Sequence, residues 1–291
     1  MPINIGDEMG KTESKTDKEI GYELGIPNIH RVQSPSSINT FRQCPRKYFY
    51  HYIEQRPTKP SIHLVKGSVA HSVLEDFFDN GIIDEKEYKT ILRTRASALL
   101  KTRWLSAGEQ LKKMAITDEE LHFSDLAIMV SNWLEDFLKK MEKEIATGKT
   151  PNEAFKVLTP IRERKYVHNG YAVQGFIDAI HEQDGKITVL DYKTSKRDDI
   201  SDEYFLQLAI YALLYKHQHG KIPDQVGLVF LRHGEKTIEA TENMVDHAIK
   251  EIKYVHENTT SKKLDDYPQK KSGLCKWSIG QCDFYEPCFE R

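Results

Sequence analysis

The middle of the chain carries apolar residues at helical spacing. Between residues 84 and 147 apolar side chains recur with the period of one face of an α-helix, which predicts two or three helices packed as a bundle. An earlier helix is predicted over about 65–78, ending at Asn80-Gly81. The residues that carry the main stripe are Leu121, Leu126, Met129, Val130, Trp133, Phe137 and Met141.

The period becomes strand-like from about residue 155. Asn169-Gly170 and Asp184-Gly185 are turn dipeptides between apolar runs, so residues 155–193 are predicted to form hairpins. Further along, the pattern predicts a helix at about 202–218, strands at 226–232 and 237–240, and a helix at about 241–258. These elements predict an α/β fold, a mixed central β-sheet flanked by helices, with a helical insertion before the sheet.

The two ends of the chain differ from its middle. Residues 1–33 are polar with little apolar periodicity, which predicts a disordered tail. Order is predicted to begin at Ser34-Pro35, an N-cap followed by a proline at the first helical position. We predict one domain over 34–291, with the helical insertion at 84–150, the core at 155–240 and a cysteine-bearing loop region at the end.

Composition narrows the class of protein. The 291 residues are 30% charged with a net charge of −2, so any nucleic-acid interface has to be a local basic stripe. Such stripes are Arg42 with Arg46 and Lys47, and Lys193 with Lys196 and Arg197. Since no apolar run reaches membrane-spanning length and no export signal is present, we expect an intracellular protein without a membrane partner. Its four cysteines are then expected to be thiolates or metal ligands.

Two carboxylates and a lysine come from one predicted hairpin. The Asp184-Gly185 turn places Asp178 and Asp191 near each other on paired strands, and Lys193 emerges on the same face as Asp191. Converging acids favour a hard cation such as Mg²⁺ or Mn²⁺, and an adjacent ammonium suits an anionic substrate. This combination predicts metal-dependent phosphodiester cleavage; the alternative is ordinary edge-strand acids with a structural salt bridge.

The motifs resemble the RecB-like branch of the PD-(D/E)XK nuclease superfamily. Gly-Phe-Ile-Asp at 175–178 and Asp-Tyr-Lys-Thr at 191–194 are similar to its catalytic core, the helix at 67–75 to its histidine helix, and 207–211 to its Gln-x-x-x-Tyr helix. Cys44, Cys275, Cys282 and Cys288 resemble the split set of the iron–sulfur members, which include the CRISPR-associated exonucleases and the AddB nuclease domain. The resemblance covers most of residues 34–288 and implies a restriction-endonuclease-like core.

The resemblance implies roles for individual residues. His71 and the backbone carbonyl of Tyr192 would join Asp178 and Asp191 as metal ligands, and Lys193 would support the attacking water and the transition state. Gln207 and Tyr211 would position the lysine or the DNA backbone, although Tyr211 packing in the core is an alternative.

The cysteines keep several interpretations open. Four thiolates suit a 4Fe–4S cluster or tetrahedral zinc, and four unliganded thiols are the remaining alternative. The spacing between Cys282 and Cys288 matches the iron–sulfur relatives, whereas Cys275 and Cys282 are further apart than is usual in them. A cluster would join the first helices to the carboxyl-terminal loop.

The sequence and the resemblance together predict a metal-dependent DNA exonuclease acting on single-stranded DNA or DNA ends. Tyr48, Phe49 and Tyr50 could stack on the bases of a strand. The role divides among CRISPR adaptation with an integrase partner, recombination or repair, and viral DNA processing. The competing hypothesis is a non-catalytic DNA-binding or assembly subunit. Gly148-Lys149-Thr150 is not a phosphate-binding loop, because position 143 is Lys rather than Gly.

Overall fold

A five-stranded mixed sheet forms the centre of the protein. The structure, a computed structural model, describes residues 21–27, 29–81, 85–114, 116–278 and 280–289. The strands lie in chain order, and all neighbours are antiparallel except β3 and β4, which are parallel. The predicted α/β class with a mixed central sheet is confirmed. The strands are β1 (Ile161–His168), β2 (Val173–Gln183), β3 (Lys186–Lys193), β4 (Gln225–Phe230) and β5 (Gly234–Glu239).

Helices cover both faces of the sheet. One buried cluster joins α1, α8 and α9 to side chains such as Val189, and the other joins α3, α4, α6 and α7 to side chains such as Leu190 on the opposite face. The main helices are α1 (Pro35–Gln43), α2 (Pro45–Tyr48), α3 (Ile62–Asp76), α4 (Tyr88–Ser106), α5 (Gly108–Lys113), α6 (Glu119–Ala146), α7 (Pro151–Leu158), α8 (Asp202–His219), α9 (Glu242–Glu257) and α10 (Tyr285–Phe289). Short elements complete the fold: a π-helix (Phe49–Ile53), a 3₁₀ turn (Leu264–Asp266) and a small hairpin of β6 (Lys276–Trp277) and β7 (Gly280–Gln281). In the part of the chain that the structure describes, no helix has the length and apolar character needed to cross a bilayer.

The two hairpin turns of the sheet have different lengths. Asp184 and Gly185 both take positive φ angles, 52° and 75°, and connect β2 to β3 as a two-residue turn, as the sequence predicts. The turn at Asn169-Gly170 is longer, because β1 ends at His168 and β2 begins at Val173. Its two extra residues shift the register between β1 and β2 by two residues from that of a two-residue turn.

Three sequence predictions need correction. Phe155 does not begin a strand: Thr150 caps α7 in a capping box with Glu153, and Pro151 opens the helix. Of the predicted tail, residues 1–20 and 28 lie outside the described residues. Others are ordered against the sheet, since Gly21 donates to the carbonyl of Asn169 and Gln33 pairs with Val173.

The third correction concerns the aromatic segment at 48–50. Tyr48, Phe49 and Tyr50 are buried, and Tyr48 donates to Gln33 while Tyr50 donates to the carbonyl of Pro287. Buried rings with committed hydroxyls cannot stack on nucleic-acid bases, so these residues belong to the core.

Candidate active site

Three acidic residues lie side by side across three strands. The register between β2 and β3 sets Ala179 opposite Leu190, which brings the preceding Asp178 opposite Asp191. The register between β1 and β2 pairs Arg162 with Ala179 and Arg164 with Ile177, so Glu163 lies opposite Asp178. Glu163 takes a left-handed conformation with φ 46°, an uncommon state for a non-glycine residue that is found preferentially at functional sites.

His71 joins this row from α3. The ligand atoms of His71, Glu163 and Asp178 all lie within 4.8 Å of one another. His71 Nδ1 is 3.3 Å from Asp178 Oδ1, and its Nε2 is 3.0 Å from the carbonyl oxygen of Tyr192. The backbone N–H of Tyr192 donates to Asp178 Oδ2 at 2.8 Å. Of the predicted ligands, His71 therefore contacts both Asp178 and the carbonyl oxygen of Tyr192.

Asp191 and Lys193 form hydrogen bonds with side chains of α8. Lys193 Nζ lies 2.6 Å from Asp191 Oδ2 and donates to Gln207 Oε1 at 2.8 Å. Gln207 Nε2 donates to Asp191 Oδ1 at 2.7 Å, and the Tyr211 hydroxyl donates to the same oxygen at 3.2 Å. Asp191 thus lies outside the three-residue ligand group, with its carboxylate held by the lysine and the Gln-x-x-x-Tyr pair.

Local sequence explains why α8 reaches this position. Ser201 caps the helix by accepting from the N–H of Tyr204, and residues 207 and 211 are one turn apart on one face. A Cβ atom on Gly175 would lie 3.0 Å from the ring of Tyr211, so the glycine allows the tyrosine to approach β2 closely. Gly67 has no such role, because the nearest contact of its Cβ would be Thr194 Oγ1 at 3.9 Å.

Burial and charge shift the pKa values in the site. Burial opposes protonation of His71, but the hydrogen bond and charge of Asp178 outweigh it and raise its pKa to about 8. Burial and the charge of Asp178 raise the pKa of Glu163. Burial also raises the pKa of Asp191 against the opposing charge of Lys193, while Asp191 keeps the pKa of buried Lys193 raised.

An open cleft of about 790 Å³ lies beside the site. His71, Glu163, Tyr192 and Lys193 line it on one side. Further cationic side chains lie in its wall, namely Lys66, Lys196 and Arg232. A cleft with acids at one end and cations around them is suited to a metal ion together with an anionic ligand.

Glu163 is the residue that the sequence analysis missed. The Asn169-Gly170 signal indicates a two-residue turn, and that register would set Ile161 rather than Glu163 opposite Asp178. Only the observed four-residue turn brings Glu163 into the row. The sequence feature that could have identified Glu163 is its position, an acid within the strand that precedes the Gly-Phe-Ile-Asp motif.

The donor set fits a hard divalent cation. Carboxylate oxygens from Glu163 and Asp178, an imidazole nitrogen and a backbone carbonyl are ligands for Mg²⁺ and, with the nitrogen, Mn²⁺. Asp191 Oδ2 is buried and accepts no well-directed hydrogen bond, although Lys193 lies close to it. A buried acceptor with free lone pairs next to the ligand group is what a metal site requires.

The four cysteines lie together, away from this cleft. All are free thiols that line one small cavity between the start of α2 and the carboxyl-terminal segment. Burial and the neighbouring Cys44 raise the pKa of both Cys282 and Cys288. Gln269 Nε2 donates to Cys288 Sγ at 3.1 Å, and the N–H of Ser272 points to Cys275 Sγ at 3.5 Å.

Comparisons with known proteins agree with the geometry. The family model of the PD-(D/E)XK nuclease superfamily matches residues 33–288. The "Gene 69 protein" of Mycobacterium phage D29 is 25% identical over 281 residues, which covers 88% of this chain and 96% of that protein. A solved structure from Eubacterium rectale, of a protein provisionally named an exonuclease, covers 95% of this chain and 98% of its own at a TM-score of 0.49 and 12% identity; the family assignment does not rest on it. On the family match, the chain belongs to the PD-(D/E)XK nuclease superfamily.

Proposed function

We propose that this nuclease hydrolyses DNA phosphodiester bonds with a divalent metal ion held at the row of acids. The observation that carries the proposal is the convergence of His71, Glu163 and Asp178 within 4.8 Å, in the same cleft as Lys193. Asp191 and the carbonyl of Tyr192 complete the candidate ligand set. Bound there, Mg²⁺ or Mn²⁺ would supply positive charge to the phosphate and acidify a water molecule.

The chain's own residues perform the positioning. Lys193 offers its ammonium to the phosphate oxygens, where charge increases in the transition state. Gln207 and Tyr211 fix both Lys193 and Asp191 through their hydrogen bonds, so the lysine is oriented before substrate arrives. The contact between His71 and Asp178 holds the imidazole ring toward the ligand group.

The proposals for the substrate and the biological role rest on sequence motifs and on a relative, not on the geometry of the site. The Gly-x-x-x-His, Gly-Phe-Ile-Asp and Gln-x-x-x-Tyr motifs support an exonuclease of the RecB-like type acting on single-stranded DNA or DNA ends. Similarity to a protein of Mycobacterium phage D29 supports viral DNA processing among the candidate roles, ahead of CRISPR adaptation with an integrase or cellular repair.

The cysteine cavity is proposed to hold a 4Fe–4S cluster. Tetrahedral zinc at about 2.3 Å from each sulfur requires the sulfurs to lie about 3.8 Å apart. The four cysteines are all among the described residues, and no three of their sulfur atoms lie within 4.8 Å of one another. The N–H groups directed at two of the sulfurs suit thiolate ligands, and tetrahedral zinc is the alternative occupant of the cavity.

A cleavage assay tests the nuclease proposal. End-labelled linear and circular single-stranded DNA are incubated with wild type and with Lys193→Ala, in Mg²⁺, in Mn²⁺ and with chelator. We expect metal-dependent digestion of the linear DNA, reduced roughly 10²–10³-fold in the variant, since a lost donor to transition-state charge has effects of that size.

The matched control is Lys186→Ala, because Lys186 is an exposed lysine at the start of the same strand. It should digest DNA like wild type. A wild-type protein that binds DNA but cleaves nothing in either metal would support the non-catalytic subunit instead. Digestion of circular and linear DNA at equal rates would contradict the exonuclease assignment.

A further inference from the structure

Two cations share one acid at the wall of the active-site cleft. Asp125 of α6 accepts from Lys66 of α3 and, at 2.6 Å, from Arg232 just beyond β4. The two positive side chains hold the pKa of Asp125 down at about 2, although burial opposes them. With one negative charge for two positive ones, the cluster carries a net positive charge.

This cluster lies beside the proposed catalytic lysine. Lys193 pairs with Phe230 across β3 and β4, and the N–H of Leu231 donates to the carbonyl of Lys193 at 2.9 Å. Arg232 therefore leaves the sheet at the same edge as Lys193, one strand away. His233 Nε2 contacts the carbonyl of Lys196 at 2.9 Å, which connects the loop that carries Arg232 to the loop that follows Lys193.

Arg232 is the more exposed of the two cations, since its side chain is 21% exposed and that of Lys66 is 8% exposed. Lys66 and Arg232 both line the cleft that contains His71 and Lys193. Arg232 uses one terminal nitrogen on Asp125, and its Nε is buried with no acceptor among the described residues. Part of the Arg232 side chain is therefore open to an anion in the cleft.

Arg232 also borders a second open space. Arg232 and Tyr192 also line a neighbouring cavity of about 560 Å³ between α6 and the sheet. Arg232 therefore lines both the active-site cleft and this cavity, so its side chain borders two open spaces. Arginine binds phosphate oxygens through paired N–H donors, which makes it suited to such a position.

We propose that Lys66 and Arg232 form a second phosphate-binding subsite, which takes the backbone phosphate next to the one that is cleaved. Asp125 keeps the two cations in place and prevents their mutual repulsion. The subsite rests on the proposed nuclease function, because it assumes a nucleic-acid strand in the cleft.

Salt dependence of binding tests the subsite directly. The affinity for a fluorescent single-stranded oligonucleotide is measured between about 50 and 200 mM salt in a Lys193→Ala background, with and without Arg232→Gln. For single strands each phosphate contact contributes about 0.7 to the slope of log affinity against log salt. We expect Arg232→Gln to lower the slope by about 0.7, a change that a purely structural arginine would not cause.

The matched control is Arg103→Gln, because Arg103 is ion-paired to Asp76 and lines neither cavity. It should leave the slope unchanged. An unchanged slope in Arg232→Gln, with wild type binding and cleaving DNA, overturns the subsite alone. A protein with Lys193 intact that neither binds nor cleaves DNA overturns the proposed function as well.

A second measurement does not depend on how the variant folds. Oligonucleotides with a single neutral methylphosphonate at successive positions are bound to the Lys193→Ala protein, in which Arg232 is intact. We expect a loss of affinity at a linkage adjacent to the cleavage point mapped in wild type. Uniform affinity at every position flanking that point overturns the subsite.

Discussion

At the scale of single residues, the site depends on a strained glutamate. Glu163 has a left-handed backbone and lies opposite the acid Asp178, and both features are destabilising in the metal-free protein. Such a residue persists when it serves a ligand. The pKa of Glu163 is raised by burial and by Asp178, so its negative charge is disfavoured until a cation arrives.

Glu163→Gln is therefore expected to have opposite effects on stability and on metal binding. The metal-free variant should unfold at a higher temperature than wild type, because an acid whose folded pKa is raised destabilises the fold once it is ionised. Its Mn²⁺ affinity, measured by calorimetry, should fall at least about tenfold. The control is Glu239→Gln, an exposed glutamate on β5; equal Mn²⁺ affinity in both variants would contradict the ligand role.

Gln207 acts through its neighbours. Its amide bonds Lys193, Asp191 and Tyr211, so Gln207→Ala should leave the lysine without a fixed orientation. We expect a roughly 10–100-fold loss of kcat, as is typical for residues that orient an active group. Gln218→Ala, an exposed glutamine near the end of the same helix, is the control. An equal kcat in the two variants would refute the positioning role.

At the scale of elements, Asp125 joins α6 to α3 and to the residues that follow β4. Helix α6 packs on α3 and α4 through the predicted apolar stripe from Leu126 onward, whereas Leu121, predicted as part of that stripe, is exposed. Asp125 adds the connection to Lys66 and Arg232. Lys66 is almost entirely buried, so its ammonium depends on that carboxylate.

Asp125→Asn should consequently lower the free energy of unfolding by about 1–3 kcal/mol, the range for a buried group left without its partner. Since the folded pKa of Asp125 is lowered to about 2, the stabilisation is present above its ordinary value of 3.8 and is lost as the pH falls through 2. Denaturant unfolding at pH 7 and pH 3 should show the difference from wild type shrinking at pH 3. Asp136→Asn, whose carboxylate is exposed and pairs with Lys139 on α6, should change little at either pH.

The elements were more predictable from sequence than the register between them. Helix α8 begins at a serine cap and ends at Gly220 with φ 75°, so local chemistry fixes both of its ends. The turn at 169–172 has no such local determinant, because Ala172 takes a φ of 47°, which its side chain does not favour. The turn is instead held by Gln33, whose N–H donates to the carbonyl of Ala172 and whose carbonyl accepts from the N–H of Gln174. A contact between residues this distant in sequence cannot be read from spacing, so Glu163 could not be placed opposite Asp178.

At the scale of the whole molecule, the first helices and the last residues form one unit. Arg46 donates to the carbonyl of Tyr267 at 2.6 Å, Lys270 donates to that of Arg42 at 2.9 Å, and Tyr50 donates to that of Pro287 at 2.8 Å. These bonds bring Cys44 to the three later cysteines without a cluster. The spacing that sets Cys275 apart in sequence is accommodated by the β6–β7 hairpin, after which the N–H of Cys282 donates to the carbonyl of Cys275 at 2.9 Å.

A cluster in this cavity would close a loop of more than two hundred residues, so its loss should lower the stability of the whole fold. A ligand that binds only the native state stabilises that state, and closing long loops removes more entropy from the unfolded chain than closing short ones.

We expect anaerobically purified protein to be brown and to contain iron, and Cys288→Ala to lose the colour and unfold at a lower temperature. Lys193→Ala, altered only in the other site, should keep both its iron and its unfolding temperature. Colourless protein with stoichiometric zinc would reassign the four thiols to zinc. Protein with neither metal would leave them as free thiols joined by the hydrogen bonds alone.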